Sequence, residues 1–123
     1  MRFSRVIIYC QNAVTCASFY QTHFGLHQIG EWSSEWAEVA DEAGMSIAFH
    51  QAYIDGKPVT HPTGSPMNPH KLVFTVADVA QERQKLVETG VSMGEIHHFE
   101  DLDNLVFCDG SDPEGHRFQL CNR

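Results

Sequence analysis

The chain has 123 residues, with 8 Lys+Arg against 16 Asp+Glu and a formal charge of −8 at pH 7. That length suits one domain, or two half-size units sharing a core, and 42% hydrophobic residues are enough to bury it. An acidic surface with no basic cluster argues against nucleic acid as a partner. No apolar run approaches the roughly 20 residues that cross a bilayer.

After the basic start Met1-Arg2-Phe3-Ser4-Arg5, the apolar stretch Val6-Ile7-Ile8-Tyr9-Cys10 is shorter than the about 7–15 residues of a secretory h-region. Cys10, Cys16, Cys108 and Cys121 form no C-x-x-C pair and no zinc-finger spacing. Cys10, Cys108 and Cys121 lie in apolar runs, where a reduced Cys acts as a small hydrophobe. Both features predict a cytoplasmic protein with free thiols and no membrane partner. Eight histidines in so short a chain make a metal site the tempting reading.

In chain order, residues 6–10 are a β-branched strand. Residues 13–24 read as a helix with Val14, Ala17, Phe19, Tyr20 and Phe24 inward, Asn12 as N-cap and Gly25 just past its end. Strand-like segments follow near 26–32, 35–40 and 45–52, the last two separated by Asp41-Glu42-Ala43-Gly44. Residues 51–70 read as a linker, because Pro58, Pro62, Pro66 and Pro69 fall there. The order then repeats. A strand at 72–76 leads through the cap Asp78 into a helix at 79–89 with Val79, Leu86 and Val87 apolar, closed by Gly90. Strands follow near 91–98 and 103–109, then the turn Asp112-Pro113-Glu114-Gly115 and a last strand at 116–121. Order and punctuation, more than identity, carry this duplication. The pattern is a tandem βαβββ pair: module 1–52, a Pro-rich linker 53–69 and module 70–123, together one domain.

Three segments carry a family resemblance. Ala17-Ser18-Phe19-Tyr20-Gln21-Thr22-His23-Phe24-Gly25-Leu26 resembles the "S-x-x-F-Y-x-x-x-L-G" helix end of the vicinal oxygen chelate superfamily. Asp112-Pro113-Glu114-Gly115-His116-Arg117-Phe118-Gln119-Leu120 resembles its "D-P-D-G-x-x-x-E-L" strand, and Val73-Phe74-Thr75-Val76-Ala77-Asp78-Val79 its "a-F-x-V-x-D-v" module opening. The superfamily includes glyoxalases, extradiol dioxygenases, epimerases, fosfomycin-resistance enzymes and metal-free bleomycin-resistance proteins. The resemblance implies an α+β fold in which tandem βαβββ modules form a curved mixed sheet, a glyoxalase/bleomycin-resistance cup, normally in a homodimer. It does not choose a function, which the site must do.

Strand alternation separates two faces. Val6, Ile8, Cys10, Ile47, Phe49, Leu72, Phe74, Val76, Phe118 and Leu120 form an apolar face that packs on helices. The other face carries Arg5, Ile7, Tyr9, Ser46, Ala48 and His50 in the first module. In the second it carries Lys71, Val73, Thr75, Arg117, Gln119 and Cys121. Such a mixture of apolar walls and placed polar groups suits a small-molecule cup. Of these residues, Arg5, Ile7, Tyr9, Ala48, His50, Lys71, Val73, Thr75 and Gln119 are the candidate ligand-binding set.

The resemblance also implies four metal-ligand positions, which fall on Arg5, Ala48, Lys71 and Gln119. Arg and Lys are cations, Ala has no donor atom, and Gln offers only a neutral carbonyl. The expectation is therefore no metal and no other cofactor. A divalent ion held by misaligned ligands is the alternative; His50 is the best spare histidine, and a one-residue slip would exchange Lys71 for His70. His97 and His98 alternate across a strand, His61 lies in the linker, and His23 and His27 flank a helix end. Arg5 and Lys71 occupy matching positions and need counter-charges. They anchor the carboxylate or phosphate of a ligand, with Gln119 orienting it, or pair internally with Glu35, Glu38 or Glu95. Trp32 and Trp36 stack on a planar ligand or, preferably, bury themselves in the core or a dimer contact. Tyr9 and His50 are the weak candidates for general acid or base in a metal-free enzyme. There is no Gly-rich phosphate loop, no G-x-S-x-G elbow and no Cys–His nucleophile signature. The leading expectation is a metal-independent small-molecule binder. A catalytic relative and an interaction module with a self-filled cup are the rivals.

Overall fold

The computed structural model describes residues 1–58 and 70–123. The chain divides into two compact units, Met1–Pro62 and Thr63–Arg123. The first runs β1 (Arg5–Cys10), α1 (Ala13–Phe24), β2 (His27–Ile29), β3 (Trp36–Ala40), β4 (Ser46–Gln51) and a small hairpin, β5 (Tyr53–Ile54) with β6 (Lys57–Pro58). The second runs β7 (Leu72–Thr75), α2 (Val79–Glu88), β8 (Ser92–Met93), β9 (His97–Phe99), β10 (Leu105–Ser111) and β11 (Arg117–Cys121). Each unit is a βαβββ module with its own mixed sheet, ordered β1-β4-β3-β2 in the first and β7-β11-β10-β8 in the second, with β9 also on β10. In both, the first strand pairs parallel with the last and the remaining pairs are antiparallel.

Local chemistry repeats with the topology. Asn12 and Asp78 cap α1 and α2 from nearly identical extended backbones (φ −136° each). Their carboxamide and carboxylate oxygens accept the amides of Thr15 and Gln81 at 2.9 Å, satisfying donors that a helix start leaves orphaned. Gly25 and Gly90 follow the helices with φ of 68° and 86°, a left-handed step that any side chain would strain. The β3–β4 and β10–β11 turns share a device. Asp41 Oδ1 accepts the Met45 amide at 2.9 Å, and Asp112 Oδ1 accepts those of Glu114 and His116 at 2.9 Å. Asp112 Oδ2 also holds His116 Nδ1 at 2.7 Å. The Asp112 carboxylate of Asp112-Pro113-Glu114-Gly115 is thus a turn-builder.

The core of the first unit sits between α1 and the sheet. Ala13, Cys16, Ala17 and Tyr20 form an i, i+3, i+4, i+7 stripe, each 0% exposed, and Tyr20 stacks on Phe49 with centroids 5.3 Å apart. Burying two such rings contributes about 1.5–3 kcal/mol each. In the second unit Val79 and Leu86 of α2 are buried, as are Cys108, Phe118 and Leu120 on the sheet. All four cysteines are buried and outside any disulfide, and burial raises the Cys108 thiol above its ordinary range, keeping it protonated. Among the described residues no helix is long and apolar enough to cross a membrane.

The structure corrects three expectations. Val14 faces outward at 37% exposure, and Phe19 and Phe24 are only half-buried, because the inner stripe is set by Ala13 and Cys16. The strand expected at 91–98 is two strands, broken at Gly94, whose carbonyl is taken by Arg83 Nε of α2 at 2.7 Å while its amide reaches Asp109 O at 2.7 Å. The stretch read as linker begins with the β5–β6 hairpin, turned by Asp55-Gly56. His61, Pro62, Pro66 and Pro69 lie outside the described residues.

Gly110 shows how tightly the second sheet is packed. A Cβ there would overlap the ring of Phe118, directly opposite in the ladder and fully buried, and would sit 2.6 Å from Met93 Sδ. Gly110→Ala is expected to lower stability by about 1–3 kcal/mol in urea unfolding. An unchanged midpoint would show that the ring has room to move.

Candidate functional site

Register places the expected inward face of each unit in rows. In the first, one row is Tyr9, His50 and Trp36, the next Ile7, Ala48 and Glu38, the third Arg5, Ser46 and Ala40. The alternation predicted for β1 holds: Arg5, Ile7 and Tyr9 are exposed, Ile8 and Cys10 buried. In the second unit, Thr75, Cys121, Phe107 and His97 make one row and Val73, Gln119 and Asp109 the next. Arg117 follows, opposite Ser111.

Both nominated cations have internal partners. Arg5 sits at the start of β1 and reaches past β4 to β3, where its Nε donates to Glu38 Oε1 at 2.7 Å. Ser46 Oγ donates to the same oxygen at 2.6 Å. The Glu38 side chain is only 7% exposed against 45% for Arg5, so the carboxylate is the desolvated partner and needs both donors. Ala48, directly opposite Glu38 and 0% exposed, leaves room for the arginine to cross. The guanidinium also lies 5.8 Å from the Trp36 ring centroid, within cation–π range. Of the alternatives read from sequence, Glu38 is the partner. Glu35 instead accepts from Tyr53 Oη at 3.5 Å, and Glu95 makes no ion pair among the described residues.

The second unit repeats the device with different residues. Lys71 Nζ donates to Asp109 Oδ1 at 3.0 Å and Oδ2 at 2.9 Å, and Gln119 Nε2 donates to Oδ1 at 2.9 Å. Asp109, missed in the sequence reading, occupies the position in β10 that Glu38 occupies in β3. The repeat itself was the signal that could have found it. Burial alone would raise the Asp109 carboxyl, but the bonds from Lys71 and Gln119 and the charges of Lys71 and Arg117 outweigh it and hold the carboxyl below its ordinary value. The slip to His70 does not occur: β11 pairs Gln119 with Val73, and Lys71 is the residue that reaches across.

The four positions that the resemblance marks for metal ligands do not fit a metal. In the first unit Arg5 is committed to Glu38 and Ala48 offers no donor atom. In the second Lys71 is committed to Asp109, and Gln119 spends its amide on the same carboxylate. His50 stands between rings, with centroids 5.8 Å from Tyr9 and 5.7 Å from Trp36. Trp36 therefore belongs to the inward face. Trp32 is half-buried and donates its indole N–H to Glu38 O at 2.9 Å. In the second unit His97 and Phe99 stack on Phe107, at 5.1 and 5.9 Å.

A carboxyl held low in the folded state adds stability that is present above its unfolded value, about pH 4, and lost as pH falls through the folded one. Asp109→Asn is therefore expected to cost up to about 1 kcal/mol at pH 7, since both partners are over a third exposed and screened. In urea unfolding, the gap from the wild type should close between pH 5 and pH 3 (about the titration range). A gap that persists at pH 3 would place the effect in packing.

The family model of the Glyoxalase/Bleomycin resistance protein/Dioxygenase superfamily matches residues 2–120. Similar solved structures include a member of that superfamily from Sphaerobacter thermophilus DSM 20745, with TM-score 0.74 and 18% identity over 98% of this chain and 96% of that one. An antibiotic binding protein from Streptomyces sp. CB03234 has TM-score 0.71 and 20% identity over 98% and 93%. A lactoylglutathione lyase from Agrobacterium tumefaciens has TM-score 0.69 and 12% identity over 98% and 92%. No curated protein matches the sequence. At these identities the structures speak for the fold alone, and the family model carries the assignment: the chain belongs to the Glyoxalase/Bleomycin resistance protein/Dioxygenase superfamily.

Proposed function

We propose that this protein binds a small, partly apolar molecule on the inward faces of its sheets and does so without the divalent metal used by many of its relatives. The carrying observation is the pair of ion pairs, Arg5–Glu38 and Lys71–Asp109, which commit the cations at two of the metal-ligand positions to carboxylates outside that set. Beside them Ile7, Tyr9 and Val73 present apolar surface at 48%, 52% and 55% exposure. Exposed apolar groups rimmed by polar ones are what a ligand site offers before it is filled. In the first unit Tyr9, His50 and Trp36 supply flat faces for a planar group beside Ile7, while Ala48, expected to line the site, is fully buried and offers it no surface. In the second, Val73 and Thr75 supply the wall beside Lys71 and Gln119. That a protein of this fold from Streptomyces is described as antibiotic binding is consistent with a binding role. The dimer usual in the superfamily and a cytoplasmic setting complete the reading.

The test combines metal analysis with fluorescence. Purified protein should carry no stoichiometric Zn, Ni, Fe or Mn, and EDTA should leave its melting temperature unchanged. Planar ligands that raise that temperature should change the tryptophan emission, and Trp36→Phe should remove most of the change. One metal per chain whose removal lowers the melting temperature would overturn the proposal.

A further inference from the structure

The two modules differ by one charge at equivalent positions. In the first unit the polar cluster is Arg5, Ser46 and Glu38, one cation against one carboxylate. In the second the corresponding residues are Lys71, Arg117 and Asp109, two cations against one. Asp109 already takes three bonds from other residues: Oδ1 accepts Lys71 and Gln119, and Oδ2 accepts Lys71. Arg117 is close enough for its charge to act on that carboxylate. Yet among the described residues its side chain makes no ion pair and no hydrogen bond. It is half-buried, on the same face as Gln119, opposite Ser111 in the ladder and adjoining Lys71 by register. A half-desolvated guanidinium beside a second cation, in a chain of net charge −8, is costly unless something negative visits it.

We propose that Arg117, set between Lys71 and Ser111 on the inward face of the second unit, is the anchor for an oxyanion of the bound molecule, a carboxylate or a phosphate. The assignment rests on the small-molecule reading above and moves the charge-recognising role from Arg5 and Lys71, which are internally paired, to Arg117. A guanidinium presents two parallel N–H donors that match either oxyanion. The Ser111 hydroxyl supplies a neutral donor from the neighbouring strand, and the paired Lys71 adds field without needing to leave Asp109. The overall negative charge opposes the approach of anions, so affinity should be modest.

Amide NMR titrations with benzoate, phenyl phosphate, inorganic phosphate and the neutral isostere benzamide test this. Benzoate or phenyl phosphate should shift amides of β10 and β11 and bind about ten-fold or more tightly than benzamide, the worth of one charge-assisted contact. Comparing the two aromatic anions identifies the preferred oxyanion, and inorganic phosphate shows how much the anion alone contributes. Arg117→Gln should bring benzoate down to the benzamide level. Arg117→Lys should restore part of the difference, and Lys85→Gln on α2 should change nothing. Thermal unfolding of each variant checks its fold, and the Lys variant keeps the test decisive if the Gln variant is unstable. Benzoate binding untouched by Arg117→Gln, or benzamide binding as well as benzoate, overturns the anchor and leaves the small-molecule reading standing. Failure of all four probes to shift any inward-facing strand overturns both.

Discussion

In each module a carboxylate on the third strand of the repeat draws a cation on the first strand across the strand between them. Glu38 sets the stricter condition. At 7% side-chain exposure its carboxylate has little water to bond, and it takes two donors from the inward face, Arg5 and Ser46. The arginine can reach only because the intervening position is Ala48. A larger residue there, such as a metal-ligating glutamate, would occupy the crossing path and add a second negative charge beside Glu38. The ion pair and the superfamily's metal ligands are thus alternative uses of the same space. Lys71, Gln119 and Asp109 make the same choice in the second unit, with the intervening residue joining the network instead of making room for it.

The strength of these pairs lies in what their loss would leave behind. Arg5 is 45% exposed and Lys71 41%, so each pair as a whole contributes little beyond screened surface attraction. Removing the cation from Glu38 is different, because a desolvated carboxylate would then rely on one hydroxyl. The pairs serve geometry more than stability. They fix where the polar centre of each face sits and leave the apolar flanks, Ile7 and Tyr9 or Val73, open beside it.

Much of this was legible in the sequence, because the period of the pattern is local information. Asn12 and Gly25 bound α1, and Asp78 and Gly90 bound α2, through backbone chemistry that acts within one turn. The two faces of β1 follow from alternation alone. What failed depended on contacts distant in sequence. The break at Gly94 is made by Arg83 from α2, and the partner of Lys71 by a ladder register that brings residue 109 beside 119. Trp36 read preferably as a core or dimer residue. Its row with Tyr9 and His50 is decided by parallel pairing of β1 with β4, which no local pattern encodes.

The duplication gives each face the same frame, and the differences within that frame carry the specificity. Where the first unit sets Tyr9, His50 and Trp36 side by side, the second sets Thr75, Cys121 and Phe107, with aromatic character moved outward to His97 and Phe99. Where the first has Ser46, the second has Arg117. One face is therefore flat, aromatic and electrically balanced, while the other is smaller in its walls and positive by one charge. Symmetric selection for folding alone would have no reason to separate them in this way, since both ion pairs close without Arg117. Arg117 lends Asp109 only its field and, among the described residues, makes no ion pair of its own, so recognition of an anion supplies a physical reason for bearing that second cation.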